Sequence, residues 1–151
     1  MSAAAGAPAV ADARVARLVA WFEALQRADL AGIDTIYTSD AFFKDPFNEV
    51  RGAAAVGRIF GHMFDTLIQP RFVVHEALVQ GDGVFLAWDF VFRMQRAPGV
   101  EQRIRGASHL KLAADGRIAW HRDYWDAAEE LYEKLPLLGS LMRWLRRRLA
   151  A

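Results

Sequence analysis

Two hydrophobic periods divide the chain. Over residues 12–27 the apolar positions Val15, Leu18, Val19, Phe22 and Leu25 recur at three- and four-residue spacing, one face of a helix that Asp12 is placed to cap. A short helix is predicted over 30–37, then a strand over 41–45 that stops at Pro46, and Arg51-Gly52 reads as a loop. The helical period returns over 53–67, with Val56, Ile59, Phe60, Met63 and Leu67 on the inner face and Gln69-Pro70 as its end.

Beyond Pro70 the period changes to two. Residues 71–80, 83–96, 102–113 and 117–125 read as four strands. Gly81-Asp82-Gly83 and Ala114-Asp115-Gly116 are hairpin signals, and Pro98-Gly99 marks a looser turn. Helices followed by an antiparallel meander make an α+β fold, helices packed on one face of a curved sheet. Over 84–94, Leu86, Trp88, Phe90 and Phe92 share one face, opposite Phe85, Ala87, Asp89, Val91 and Arg93. Helices can cover only one face, so the face of Trp88, Phe90 and Phe92 is expected to be buried by a homodimer partner or by the C-terminal helix. The division expected is a disordered leader over 1–11, one domain over 12–132 and an amphipathic helix over 133–151, with no internal repeat.

Composition narrows the chemistry. The 151 residues form one domain by size, 54% hydrophobic and 25% charged. A net charge of +1 does not suit nucleic acid as a partner. The absence of cysteine removes disulfides, thiolate nucleophiles and cysteine-based metal sites. The start has no basic segment before a long apolar run, and no stretch is apolar enough to span a bilayer, which points to a cytoplasmic location. His62, His75 and His109 lack ligand spacing, so no metal is expected. No glycine-rich phosphate loop or serine-centred elbow occurs, and no cofactor is implied.

The chemistry-bearing feature is a set of acids inside apolar strands. His121-Arg122-Asp123-Tyr124-Trp125-Asp126 is one such run, and Phe43-Lys44-Asp45-Pro46 is another. A carboxylate taken out of water pairs, shifts its pKa or performs a task. Asp45 and Asp123, with His121 beside Asp123, are therefore the candidate polar groups of a pocket. Each has a structural alternative. Asp45 can serve as an Asx-turn acid before proline. Asp123 can pair with Arg105 or Arg122. His121 shares a strand face with Asp123, which would fix its tautomer, or it can be a satisfied core histidine.

The order of elements, Asp45-Pro46 closing the first strand, and the WHRDYWD run together resemble the nuclear-transport-factor-2-like superfamily over about residues 14 to 130. That group includes ketosteroid isomerases, SnoaL-like polyketide cyclases and limonene-epoxide hydrolases. The resemblance implies a cone-shaped domain with an apolar pocket between helices and sheet. The isomerases' general-base aspartate falls on Asp45, their oxyanion-hole tyrosine on Trp21 and their oxyanion-hole aspartate on Ser108. The epoxide hydrolases' water-activating aspartate falls on Asp123. Their arginine–aspartate strand pair falls on Ala87 and Asp89, and the tyrosine and asparagine that hold the water fall on Phe43 and Asp45. The resemblance thus implies Asp45, Asp89, His121 and Asp123 as catalytic candidates, with Trp21, Phe43, Ser108 and Trp125 lining the pocket. The function it implies is binding of a small apolar molecule with acid–base catalysis of isomerase, cyclase or hydratase type. The alternative is a non-catalytic ligand-binding or dimerisation module of the same fold.

The tail is a separate feature. Leu137, Leu141, Leu145 and Leu149 form one stripe, with Arg143, Arg146, Arg147 and Arg148 on much of the remainder. Such a helix can lie on an anionic membrane surface. Covering a sheet, its own or a neighbour's, is the commoner role of a short terminal helix.

Overall fold

The structure, a computed structural model, describes residues 9–130 and 136–149. The expected leader lies largely outside the described residues, as does the boundary expected at 132/133.

The first helix, α1 (Ala13–Ala24), is capped by Asp12, whose carboxylate accepts from the Arg14 N–H at 2.9 Å. Its buried face is Val15, Leu18, Val19 and Phe22, as the spacing predicts. A 3-10 segment, Arg27–Thr35, replaces the second helix expected slightly later. It leads into β1 (Tyr37–Lys44), which begins four residues earlier than the strand predicted at Ala41. A short β2 (Glu49–Arg51), whose last residue falls in the loop expected at Arg51-Gly52, pairs back onto β1. Then comes α2 (Ala53–Thr66), with Ala53, Val56 and Phe60 buried.

Four long strands follow in part, with β3 (Leu67–Gln80), β4 (Gly83–Met94) and β5 (Ala97–Leu112) forming the meander and β6 (Ile118–Tyr124) closing it. Gln69-Pro70 does not separate helix from strand. Pro70 sits in a register shift of β3 between Ile68 and Arg71, where a missing N–H disturbs the ladder least, and Gln69 takes φ 49°. The turn expected at Pro98-Gly99 also moves: Met94 pairs with Ala97, so the tight turn is Gln95-Arg96 and Pro98-Gly99 belongs to β5. A short α3 (Ala127–Glu130) and the terminal α4 (Pro136–Leu149) complete the chain.

The sheet runs β2-β1-β6-β5-β4-β3. It is mixed rather than wholly antiparallel, because β6 returns alongside β1 in parallel, matching Phe43 with His121. The helices α1 and α2 pack on β3, and α2 also on β1, which closes one side into the cone of the nuclear-transport-factor-2-like fold.

The face that carries Trp88, Phe90 and Phe92 is the inside of this cone. Trp88 and Phe92 belong to the buried core together with Phe22 of α1 and Phe60 of α2. This corrects the expectation that a partner or α4 would cover it: the helices already do. The outer face carries a different aromatic row. Phe85 stacks on His109 at 4.3 Å, His109 meets Trp120 at 4.9 Å and Trp120 stacks on Phe42 at 5.8 Å, crossing four strands.

Candidate functional site

The cone encloses a cavity of about 330 Å³ between α2 and the sheet. Its apolar wall includes Phe60 and Met63 from α2 and Phe72, Trp88, Phe90 and Phe92 from the sheet. Phe72 and Phe90 stack at 4.8 Å, and Phe90 and Phe92 at 5.0 Å. Polar groups gather at one end, where Asp45, Asp123, Phe43 and Trp125 all border the cavity. A smaller recess of about 20 Å³ behind it is bounded by Ser108, His121, Asp123 and Trp88.

The register explains this gathering. On β6, His121 and Asp123 point the same way, and Ser108 lies opposite Asp123 on β5. The result is a continuous hydrogen-bonded row. The Trp88 indole N–H donates to Ser108 Oγ at 2.9 Å, and the Ser108 hydroxyl donates to Asp123 Oδ1 at 2.5 Å. His121 Nε2 lies 2.7 Å from the same Oδ1, and His121 Nδ1 lies 2.8 Å from the Tyr37 hydroxyl. Trp88 can only donate, which sets the direction of its end of the row. With Asp123 ionised, His121 must carry hydrogen on Nε2, and the Tyr37 O–H then donates to Nδ1. The opposite choice would leave the phenol hydrogen without an acceptor at a fully buried site. Burial, and then the charge of Asp123, push the Tyr37 phenol well above its ordinary pKa, so it stays a donor.

Both donors thus converge on Oδ1. Among the described residues Asp123 Oδ2 has no hydrogen-bond partner, and the side chain, which borders the cavity, keeps 18% of its surface exposed. One oxygen is thus held by two donors, on a side chain that borders both the cavity and the recess behind it.

Asp45 is placed differently. Its Oδ1 accepts from the N–H groups of Phe47 at 2.8 Å and Asn48 at 2.6 Å, and its two oxygens receive the Asn48 side-chain amide at 3.1 and 3.0 Å. It borders the cavity, but its carboxylate is engaged in an Asx turn that reverses the chain between β1 and β2.

Two expected pocket residues lie elsewhere. Asp89 sits between Trp88 and Phe90, so strand alternation turns it to the outer face, where it pairs with Arg103 and with His75 Nε2 at 3.1 Å. Trp21 is not on the cavity wall. It packs edge-on against Phe22 at 5.2 Å and Phe60 at 6.3 Å. The ion pairs weighed for Asp123 are not formed either, since Arg105 pairs with Glu129 and Glu130 and Arg122 lies over the Tyr124 ring. Tyr37 escaped the sequence reading because a helix was expected there. The Trp88–Ser108 bond left a usable signal: both residues lie on inward-facing strand positions, and Leu86, two before Trp88, is the register partner of Ser108. Among the described residues no group of three His, Asp or Glu side chains is placed to hold a metal ion.

Burial pushes the Asp89 carboxyl up, but the hydrogen bonds and charges of Arg103 and His75 outweigh it and hold it below its ordinary value of about 3.8. A depressed folded-state pKa contributes stability that is present above that ordinary value and is lost as pH falls through the lowered one. Melting temperature measured from pH 6 down to 2 should therefore fall less steeply below about pH 4 in Asp89→Asn than in the unmodified protein. Parallel curves would show that the pair contributes nothing.

The SnoaL-like domain family matches residues 18–121, more than half of the chain, and the protein belongs to that family. Among curated proteins no relative matches the sequence. Solved structures share the fold at low identity. A protein of ketosteroid isomerase-like fold from Catenulispora acidiphila, solved with trimethylamine, is 14% identical with a TM-score of 0.68, covering 81% of this chain and 92% of that one. An LEH-like epoxide hydrolase of M. tuberculosis is 16% identical at TM-score 0.66, covering 88% and 91%. A protein assigned as a SnoaL-like polyketide cyclase from Shewanella putrefaciens is 19% identical at TM-score 0.64, covering 78% and 95%. Among the described residues no helix is long and apolar enough to cross a membrane.

Proposed function

We propose that the protein binds a small apolar molecule in the cone and moves a proton on it, with Asp123 as the base. The observation that carries this reading is the asymmetry of that carboxylate. Oδ1 is held by Ser108 and His121, while Oδ2 has no partner among the described residues, on a side chain that borders the cavity. A base so held loses little orientational freedom when it reacts. His121 and Ser108 are positioning residues, Tyr37 fixes the imidazole tautomer, and Trp88 fixes the serine hydroxyl.

The reaction class follows from what stands beside Asp123. Opening an epoxide needs a second acid to protonate the departing oxygen. The other carboxyl on the wall, Asp45, is occupied by backbone and amide donors. Taking a proton from a carbon acid and returning it to another carbon needs only one group, which favours isomerase- or cyclase-type transfer on an apolar carbonyl compound. Incubating the protein with apolar polycyclic ketones in deuterium oxide tests this: deuterium should appear at carbon next to the carbonyl faster than in buffer. If such ketones raise the melting temperature yet never exchange, the protein is the non-catalytic binding module instead.

The homodimer belongs to the outer face. The row of Phe42, Trp120, His109 and Phe85 lies there, with Phe85 48% exposed, and a two-fold axis through it would lay row on row. Light scattering should give twice the chain mass, and Phe85→Glu with Trp120→Glu should halve it. A monomeric unmodified protein would refute this pairing.

A further inference from the structure

The surface of α4 has two unlike parts. Leu141, Leu145 and Leu149 follow one another at four-residue steps, and Trp144, three residues after Leu141, lies beside that stripe. Leu141, Trp144, Leu145 and Leu149 are exposed by 52, 47, 37 and 84% of their surface. Arg147 and Arg148 are exposed as well, and the Arg148 guanidinium lies 5.2 Å from the Trp144 ring centre. Arg143 donates to Ser140 Oγ at 3.2 Å. Residues 136–149 hold four arginines and no acid, so in a chain of net charge +1 the remaining residues sum to −3. The positive charge is thus concentrated on the same short helix as the exposed leucines.

The partner must supply an apolar layer and fixed negative charge together. The outer sheet face supplies the first with little of the second, because apart from Glu76 most of its acids are already engaged. Asp89 is held by Arg103 and His75, Glu101 by Arg71, and Glu129 and Glu130 by Arg105. An anionic bilayer surface supplies both. Leucine side chains enter the boundary of the acyl region, tryptophan sits at headgroup depth, and arginine meets lipid phosphate two donors at a time.

We propose that α4 docks the protein on anionic membrane surfaces, lying in the plane of the interface. Leu141, Leu145 and Leu149 enter the lipid, Trp144 and Arg148 mark the headgroup level, and Arg147 contacts phosphate. A helix of this length reaches about 21 Å, too short to cross the bilayer. This proposal is independent of the proton-transfer reading.

The test is sedimentation of the full chain with vesicles of phosphatidylcholine alone or of phosphatidylcholine with phosphatidylglycerol. Binding is expected to the anionic vesicles only, weakening as salt is raised. Arg147→Glu with Arg148→Glu should weaken it by about 100-fold or more. Leu145→Asp with Leu149→Asp should abolish it, while the thermal unfolding of the cone stays unchanged in all variants. Failure to sediment with anionic vesicles overturns the proposal, and so does equal sedimentation with neutral ones. Leucine variants that lower the molecular mass in solution but leave vesicle binding intact would assign the stripe to a second copy of the chain and also overturn it.

Discussion

If Asp123 is the proposed base, Asp123→Asn is expected to lower the rate of proton transfer by about 100- to 10,000-fold, the usual contribution of a general base, while ligand affinity changes little. The amide still accepts from Ser108 and occupies the same volume, so the cavity survives and only the proton acceptor is lost. Asp45→Asn is the informative comparison. Its carboxylate turns the chain between β1 and β2 through hydrogen bonds to Phe47 and Asn48. Its replacement should lower the melting temperature modestly and leave turnover within about threefold of the unmodified rate. Initial rates of deuterium incorporation for the two variants, with affinity read from ligand-induced melting shifts, separate the two aspartates. If Asp45→Asn shows the large loss and Asp123→Asn does not, the assignment of the base is reversed.

The second large effect is expected at a residue with no side chain. A Cβ built on Gly106 would lie 2.4, 2.7 and 2.8 Å from three atoms of the Trp88 six-membered ring. Gly106 is what allows the indole to lie flat on β5 and reach Ser108. Gly106→Ala forces the ring away. Overpacking costs about 1–3 kcal/mol, and breaking the bond to the buried Ser108 adds about 1–2 kcal/mol. At about 2–4 °C per kcal/mol for a chain of this size, the melting temperature should fall by roughly 5–15 °C. Trp88→Leu should be less costly in the Gly106→Ala background than in the unmodified protein, because the clash is then already removed. Additive effects of the two substitutions would show that ring and glycine do not interact as drawn.

The helices and the meander were legible because their hydrophobic periods are long and unbroken. The buried faces of α1 and α2 follow from Val15, Leu18, Phe22, Val56 and Phe60 alone. Direction was not legible: nothing in the residues of β1 states that it will lie parallel to β6, since that follows from where the meander returns. The site divides along the same line. His121, Asp123 and Ser108 follow from alternation within strands that were found. Tyr37 was lost with the start of β1. For Asp89 the resemblance and the alternation disagree: the first implies a pocket residue, the second puts it opposite Trp88 and Phe90, and its pairing with Arg103 and His75 follows the second. Asp45 shows the limit of a residue read singly, since the same Asp-Pro pair serves a base or a turn, and only the positions of Phe47 and Asn48 distinguish them.

The parallel pairing of β1 with β6 also imposes an order of events on biosynthesis. Tyr37 and His121, which bond across that seam, are 84 residues apart. A ribosome adding about 5–20 residues per second completes β6 some 4–17 s after it has made β1. Through that interval the polar end of the cone lacks His121 and Asp123. The nascent chain exposes one side of β1 and has no binding site. A ligand of the proposed kind would therefore act only on the finished chain, stabilising the closed cone by mass action and leaving the earlier stages of folding unassisted.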